Sequence, residues 1–166
     1  STDLHVKEVT GRDPLSVTSD FLAFLGWRCA EILSGVSDWD PQSRRGEGRL
    51  IEVYPIGSMH CWGISPRSWA EDPGPYKGDG EDRVERRRRL VEILIAESNS
   101  RLDFGGQEQR FIDSDHELDA LVAALTVRTV SLGLAEPIPE GLHDVVDKEG
   151  WISLPKSGSS IAEIFA

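Results

Sequence analysis

Residues 114–125, Ser-Asp-His-Glu-Leu-Asp-Ala-Leu-Val-Ala-Ala-Leu, constrain the fold more than any other stretch of the chain. Ser114 and Glu117 form a capping-box pattern just ahead of an apolar run, so a helix is expected to begin here. Leu118, Leu121, Val122 and Leu125 recur at helical spacing and define the face that packs inward. Ala120, Ala123 and Ala124 are small and would let another element approach closely. Asp119 lies one turn inside this helix, among residues expected to be buried, with Asp115 and His116 before it on the same side. An acid at that depth is costly unless an arginine, a lysine or a metal ion pairs with it. Taken alone, Asp115 and His116 have a simpler account: an acid that favours the helix dipole and an exposed first-turn residue.

The rest of the chain supplies less. Residues 1–17 are mixed and end in a loop, and a helix is expected from about Thr18 to Ser34. Phe21, Leu22, Leu25, Cys29, Ile32 and Leu33 share one of its faces, Thr18 or Ser19 can cap its start, and Gly35 can end it. Leu50-Ile-Glu-Val-Tyr54 is the best strand candidate, bounded by Gly48 and Pro55. Its lack of alternation suggests a central strand covered on both faces. Glu52 breaks that run, either as a charge facing solvent or as a functional acid. A short helical turn is expected over 57–63. The long loop over 64–81 carries Tyr76-Lys77, and a helix follows from about Glu81 to Ser98 with Leu90, Val91, Leu94 and Ile95 as its buried stripe.

The first turns of that helix hold Arg83, Arg86, Arg87, Arg88 and Arg89. This cluster could meet phosphates, with Arg86 and Arg87 as candidate substrate contacts, or form a solvated face laced with Glu81, Asp82 and Glu85. A brief strand is expected at 110–112. Residues 150–155 read as an edge strand or an extended segment that tucks Trp151 and Ile152 onto the core, and 156–166 as a weakly held tail.

A length of 166 residues with 39% hydrophobic and 28% charged residues implies one globular domain. The net charge of -11 argues against an overall electrostatic grip on nucleic acid. No apolar stretch reaches the length of a membrane span and no signal peptide opens the chain, so a cytoplasmic location is expected. Cys29 and Cys61 belong to no CxxC pair, so they are expected to be reduced, partly buried thiols and not zinc ligands. There is no glycine-rich phosphate loop, GxSxG elbow or HExxH helix.

A strand carrying Glu52 beside a helix start carrying Asp115, His116 and Asp119 could gather one or two divalent cations. Magnesium prefers oxygen ligands and keeps some of its waters, so a few carboxylates suffice, while a histidine in the set favours manganese. A pair of such ions activates water and stabilises the leaving oxygen of a phosphodiester.

Several short motifs recur in order: Thr2-Asp3, Thr10-Gly-Arg12, Pro14-Leu-Ser-Val17, Glu52-Val-Tyr-Pro55, Tyr76-Lys77, Leu118 to Leu125, and Glu149-Gly-Trp-Ile followed by Leu154-Pro155. With them the chain resembles the family called domain of unknown function four-two-nine, whose members are predicted nucleases with an RNase H-like fold. Leu50-Ile-Glu52 and His116-Glu-Leu-Asp-Ala-Leu121 are also similar, more distantly, to RuvC-type junction resolvases. The resemblance implies Glu52, His116 and Asp119 as ligands of Mg2+ or Mn2+, Asp115 as an auxiliary catalytic group, and Tyr54, Tyr76 and Lys77 as residues lining the site.

The family opens with a strand hairpin that supplies a first carboxylate, and that motif does not occur here. The expected fold is therefore α/β and RNase H-like, lacking the N-terminal strand hairpin and helix-rich as it stands. A partner chain or a preceding segment would complete the sheet. The expected function is metal-dependent cleavage of nucleic acid. The alternative is a non-catalytic RNase H-like binding or scaffold module in which Asp119 pairs with a protein cation.

Overall fold

The computed structural model describes residues 2–12, 20–35, 45, 46, 48 and 50–166. Helices dominate it: α1 (Thr2–Thr10), α2 (Asp20–Ser34), α3 (Pro55–Cys61), α4 (Glu81–Glu97), α5 (Glu108–Asp113), α6 (Asp115–Ser131) and α7 (His143–Glu149). Short 3-10 turns lie at Pro66–Ser68 and Ile161–Phe165. Strands β1 (Glu52–Val53) and β2 (Ile152–Ser153) pair in a small parallel sheet, so the class is α/β and helix-rich. The length suggests one domain, and the residues group into two compact units: Ser1–Glu52 with Ile138–Ile152, and Val53–Pro137 with Ser153–Ala166.

In the first unit, α1 replaces the irregular start expected over 1–17. No glycine or proline interrupts Thr2–Thr10, and the helix stops where Gly11 N–H bonds the Lys7 carbonyl at 2.8 Å. Val6, at 1% exposure, packs toward α7, which buries Val146. The His5 and Trp151 rings meet at 5.0 Å, and Arg45 grips Asp147 through two hydrogen bonds of 2.6 and 2.7 Å. Trp151 and Ile152 are buried, as their apolar character anticipates. Helix α2 spans nearly the expected range, and Gly35 N–H closes it on the Ile32 carbonyl. Cys29 and Ile32, expected on its buried face, are exposed. An apolar stripe shows which face can be buried, not that something covers it. Thr18, Ser19 and most of the 36–49 loop lie outside the described residues.

The second unit holds the larger core: α3 packs on α6, and α5 packs on both α4 and α6. Leu90, Val91 and Leu94 of α4 meet Leu118, Val122 and Leu125 of α6 in one cluster with Met59, Tyr76 and Ile112. Both stripes are thus buried, as the periodicities of the two helices call for. The close approach onto α6 is not at its alanines, since Ala120 and Ala124 are exposed. It occurs at Thr126, whose Oγ1 lies 2.8 Å from Ser58 Oγ of α3, both residues being fully buried.

The expected strand over 50–54 shrinks to two residues. Pro55 starts α3, the residue before a proline is held extended, and Tyr54 takes that conformation as the helix N-cap. Leu50 is 37% exposed, so this is not a strand covered on both faces. Residues 110–112 lie in α5 and form no strand, because a three-residue apolar run carries no period that separates helix from strand.

Residues 156–166 are anchored, against the loose tail expected. Ser160 Oγ accepts from Ala162 N–H and Glu163 accepts from Ser160 N–H, a complete capping box. Arg128 Nε donates to the Ile164 carbonyl at 2.6 Å, and Ile161 and Ile164 are each 1% exposed. Ile161→Ala and Ile164→Ala should therefore each destabilise the protein by about 2–4 kcal/mol, as core truncations do. Urea denaturation measures this, and losses near zero would mark a tail that does not pack.

Candidate functional site

The start of α6 is fixed by Ser114, whose Oγ accepts from Glu117 N–H at 3.2 Å. The reciprocal half of the capping box is not made, because Glu117 turns to Arg110 at 2.9 Å. With the helix start set, Asp115 and Asp119 fall one turn apart on one side. The segment 76–78, some forty residues earlier in the chain, lies across them. Tyr76 Oη donates to Asp119 Oδ1 at 2.5 Å, Lys77 Nζ donates to Asp119 Oδ2 at 2.5 Å, and Gly78 N–H donates to Asp115 Oδ2 at 2.7 Å.

One arginine of α4 holds that strap in place, and a second holds the loop just before it. Arg87, 3% exposed, donates through Nε to the Ile112 carbonyl at 2.6 Å and through one terminal nitrogen to the Tyr76 and Gly78 carbonyls at 2.7 and 3.0 Å. Arg86, also buried, forks onto Asp72 at 2.6 and 3.0 Å and reaches Asp82 at 2.7 Å. Gly74 lies beneath it: a Cβ there would stand 2.5 Å from the Arg86 guanidinium carbon, so any side chain would displace the arginine. Gly78 has φ +87°, a region open to glycine, and that turn aims its N–H at Asp115.

The electrostatics follow the contacts. Burial pushes the Tyr76 phenol far above its ordinary range, and the Asp119 charge and hydrogen bond add to this, with smaller contributions from Asp115 and Tyr54. Tyr76 therefore stays a protonated donor. The Gly78 hydrogen bond holds the Asp115 carboxyl below its usual value against the opposing effect of burial, and His116, Arg87 and Lys77 help to keep it low. Asp119 is 20% exposed at its side chain and Lys77 54%, so the ion pair opens to solvent.

Tyr76, Lys77, Asp115 and Asp119, each singled out from the sequence, therefore come together, and Tyr54 is near enough to act on the Tyr76 phenol. His116 projects into solvent, 95% exposed and 3.8 Å from Asp115. Arg86 and Arg87 are not free cations awaiting a phosphate, since both are buried against the chain's own carbonyls and carboxylates. Glu52, in the first unit, is an exposed residue whose carboxyl is nonetheless partly desolvated. That desolvation, with the charge of Asp3, raises its pKa. The sequence did not single out Gly78 or the strapping role of Arg87. The only signal for either was the four-residue step from Arg83 to Arg87, which puts both on one face of α4 toward the strap; Arg83 donates to the Lys77 carbonyl at 2.8 Å.

Residues 15–143 match the family described as protein of unknown function, DUF429. The chain belongs to that family. No curated protein and no solved structure matches it. The metal that the family resemblance implies can be tested against the α6 donors. Among the described residues no group of three or more His, Cys, Asp or Glu side chains could hold an ion, so a closed protein cage does not fit. Two carboxylates one turn apart do fit magnesium, which is commonly held by one or two carboxylates, waters and substrate phosphate oxygens. No helix among the described residues is long and apolar enough to cross a membrane.

Two outcomes test this geometry. Arg87→Met leaves the Tyr76, Gly78 and Ile112 carbonyls without their donor and should destabilise the protein by about 3 kcal/mol. Hydrogen exchange across 76–80 should rise with it. The lowered Asp115 pKa contributes stability that is present above the unfolded Asp value and is lost as pH falls through the folded one. The stability gap between wild type and Asp115→Asn should thus be widest near neutrality and close below about pH 3.9. Acid titration followed by circular dichroism reads it.

Proposed function

We propose that this chain is an RNase H-like module of its family and acts as a metal-dependent nuclease, using Mg2+ or Mn2+ to hydrolyse phosphodiesters. The observation that carries this is the convergence of Asp115, Asp119, Tyr76 and Lys77 at one solvent-facing point, from segments remote in sequence. A divalent cation supplies Lewis acidity and an activated water. Asp119 and Asp115 would hold it, since carboxylate oxygens keep further lone pairs after accepting one hydrogen bond each. Tyr76 fixes the Asp119 carboxylate through a proton it does not lose. Lys77 presents an ammonium to which a phosphate oxygen can bind as to a point charge. The resemblance to predicted nucleases suggests this choice of chemistry, and the acidic total charge argues against a broad electrostatic grip on nucleic acid.

A second reading, a non-catalytic binding or scaffold module, is favoured by one specific observation: both Asp119 oxygens already have protein donors, one of them a cation.

Incubating single-stranded, duplex and branched DNA and RNA with Mg2+ or Mn2+ separates the two. Nuclease function predicts cleavage that needs the metal and falls about 100-fold or more in Asp119→Asn, beyond the loss typical of second-shell changes. Glu52→Gln tests the acid of the first unit in the same assay. No cleavage of any substrate would favour the non-catalytic module, and equal cleavage by the Asp119 variant would reject the assignment of Asp119.

A further inference from the structure

We propose that Lys77 is a built-in counterion of the α6 carboxylates, which a divalent cation must displace before it can bind. This inference rests on the proposed metal site and concerns how that site is regulated. The geometry gives each neighbour of Asp119 a separate task. Tyr76 is fully buried and its hydroxyl is part of the core, whereas Lys77 reaches the other Asp119 oxygen from solvent with 54% of its side chain exposed.

The ammonium occupies the side of the carboxylate that an ion arriving from solution would approach. It can leave without unfolding anything, because the strap does not depend on it. Arg87 holds the Tyr76 and Gly78 carbonyls, Arg83 holds the Lys77 carbonyl, and Gly78 N–H holds Asp115. All of these contacts are made by backbone atoms of the strap and survive any rotation of the Lys77 side chain.

Charge gives the direction of the effect. Lys77 is bonded directly to Asp119, Arg87 acts on Asp115, and Arg83 stands on the Lys77 carbonyl, so cations already surround the two carboxylates. A divalent ion arriving at Asp119 is repelled most by the nearest of them, Lys77. Removing the Lys77 charge takes that cation away, and the same ion then meets less repulsion. A half-exposed lysine is also strongly hydrated and flexible, so moving it into solvent is easy where moving Arg87 is not. Lys77 thus lowers the affinity for the metal, and an anionic substrate that draws the ammonium onto a phosphate would raise it.

The test is Mn2+ binding to the 166-residue chain, followed by the electron paramagnetic resonance of the free ion. Lys77→Met, which keeps the length of the side chain and drops its charge, should bind Mn2+ at least about tenfold more tightly than wild type. Lys77→Arg should not gain, and Asp119→Asn placed on Lys77→Met should remove the gain. Equal or weaker binding by Lys77→Met, or a gain that persists without Asp119, overturns the proposal.

A second measurement needs no variant. Millimolar Mn2+ should increase labelling of Lys77 by an amine-reactive reagent in the wild-type protein, read by peptide mass spectrometry, and unchanged labelling also overturns it. Tighter Mn2+ binding by Lys77→Met without cleavage of nucleic acid would leave Lys77 as the counterion and remove the nuclease. Cleavage that depends on Asp119, with no gain in Lys77→Met, would do the reverse.

Discussion

A buried guanidinium is an awkward thing to place in a protein core, and much of the second unit is arranged around one. Arg87 sits at 3% exposure, and among the described residues its nitrogens bond the carbonyls of Tyr76, Gly78 and Ile112 and no carboxylate. Carbonyl dipoles satisfy its hydrogens but do not cancel its charge. The cancelling charge comes from across the strap, where Arg87 helps to keep Asp115 ionised. The arginine of α4, the loop before it, the end of α5 and the first acid of α6 are therefore one electrostatic object. Removing any member leaves the others worse solvated than before.

That coupling explains why Asp119 can lie a turn deep in α6. Read alone, an acid among Leu118, Val122 and Leu125 demands a partner, and the core offers it only a phenol. The positive charge arrives from the rim, carried by the residue next to that phenol. Tyr76 is buried in the cluster and Lys77 is half-exposed at its rim, yet both side chains reach the same carboxylate, with the Lys77 ammonium 5.8 Å from the centre of the Tyr76 ring. One dipeptide thereby supplies both a fixed hydrogen-bond donor and a mobile charge to the same carboxylate.

How much of this was legible varies with the kind of signal. The stripes of α4 and α6, and the Ser114 start, follow from local period and capping chemistry, which need no knowledge of the partner. The same capping rule was available at Ser160 and Glu163, inside the segment taken for a tail. There the box is complete, while at Ser114 it is only half made. The short helices α3, α5 and α7 have too few turns to show a period. The arginine cluster misleads most. Its composition suggests a charged face, yet Arg86 and Arg87 are buried, because their partners are carbonyls and acids 72 to 82 and 112, and no charge-pattern rule counts carbonyls. The convergence of Tyr76 and Lys77 on Asp119 was anticipated only through a family resemblance, since nothing local links residues forty apart.

The two cations of the cluster do different work because they are different groups. Arg87 has a rigid fork of donors, never loses its proton and is weakly hydrated, so it can be walled in and used as a brace. Lys77 is a point charge on a flexible stem and pays a desolvation penalty if enclosed, so it stays at the rim. Had the order been reversed, with an arginine forked onto Asp119 and a lysine in the core, the carboxylate would be locked and the brace weak. The arrangement found keeps the scaffold of the site independent of its outermost charge. Moving that charge would therefore leave the helix that carries the carboxylate undisturbed.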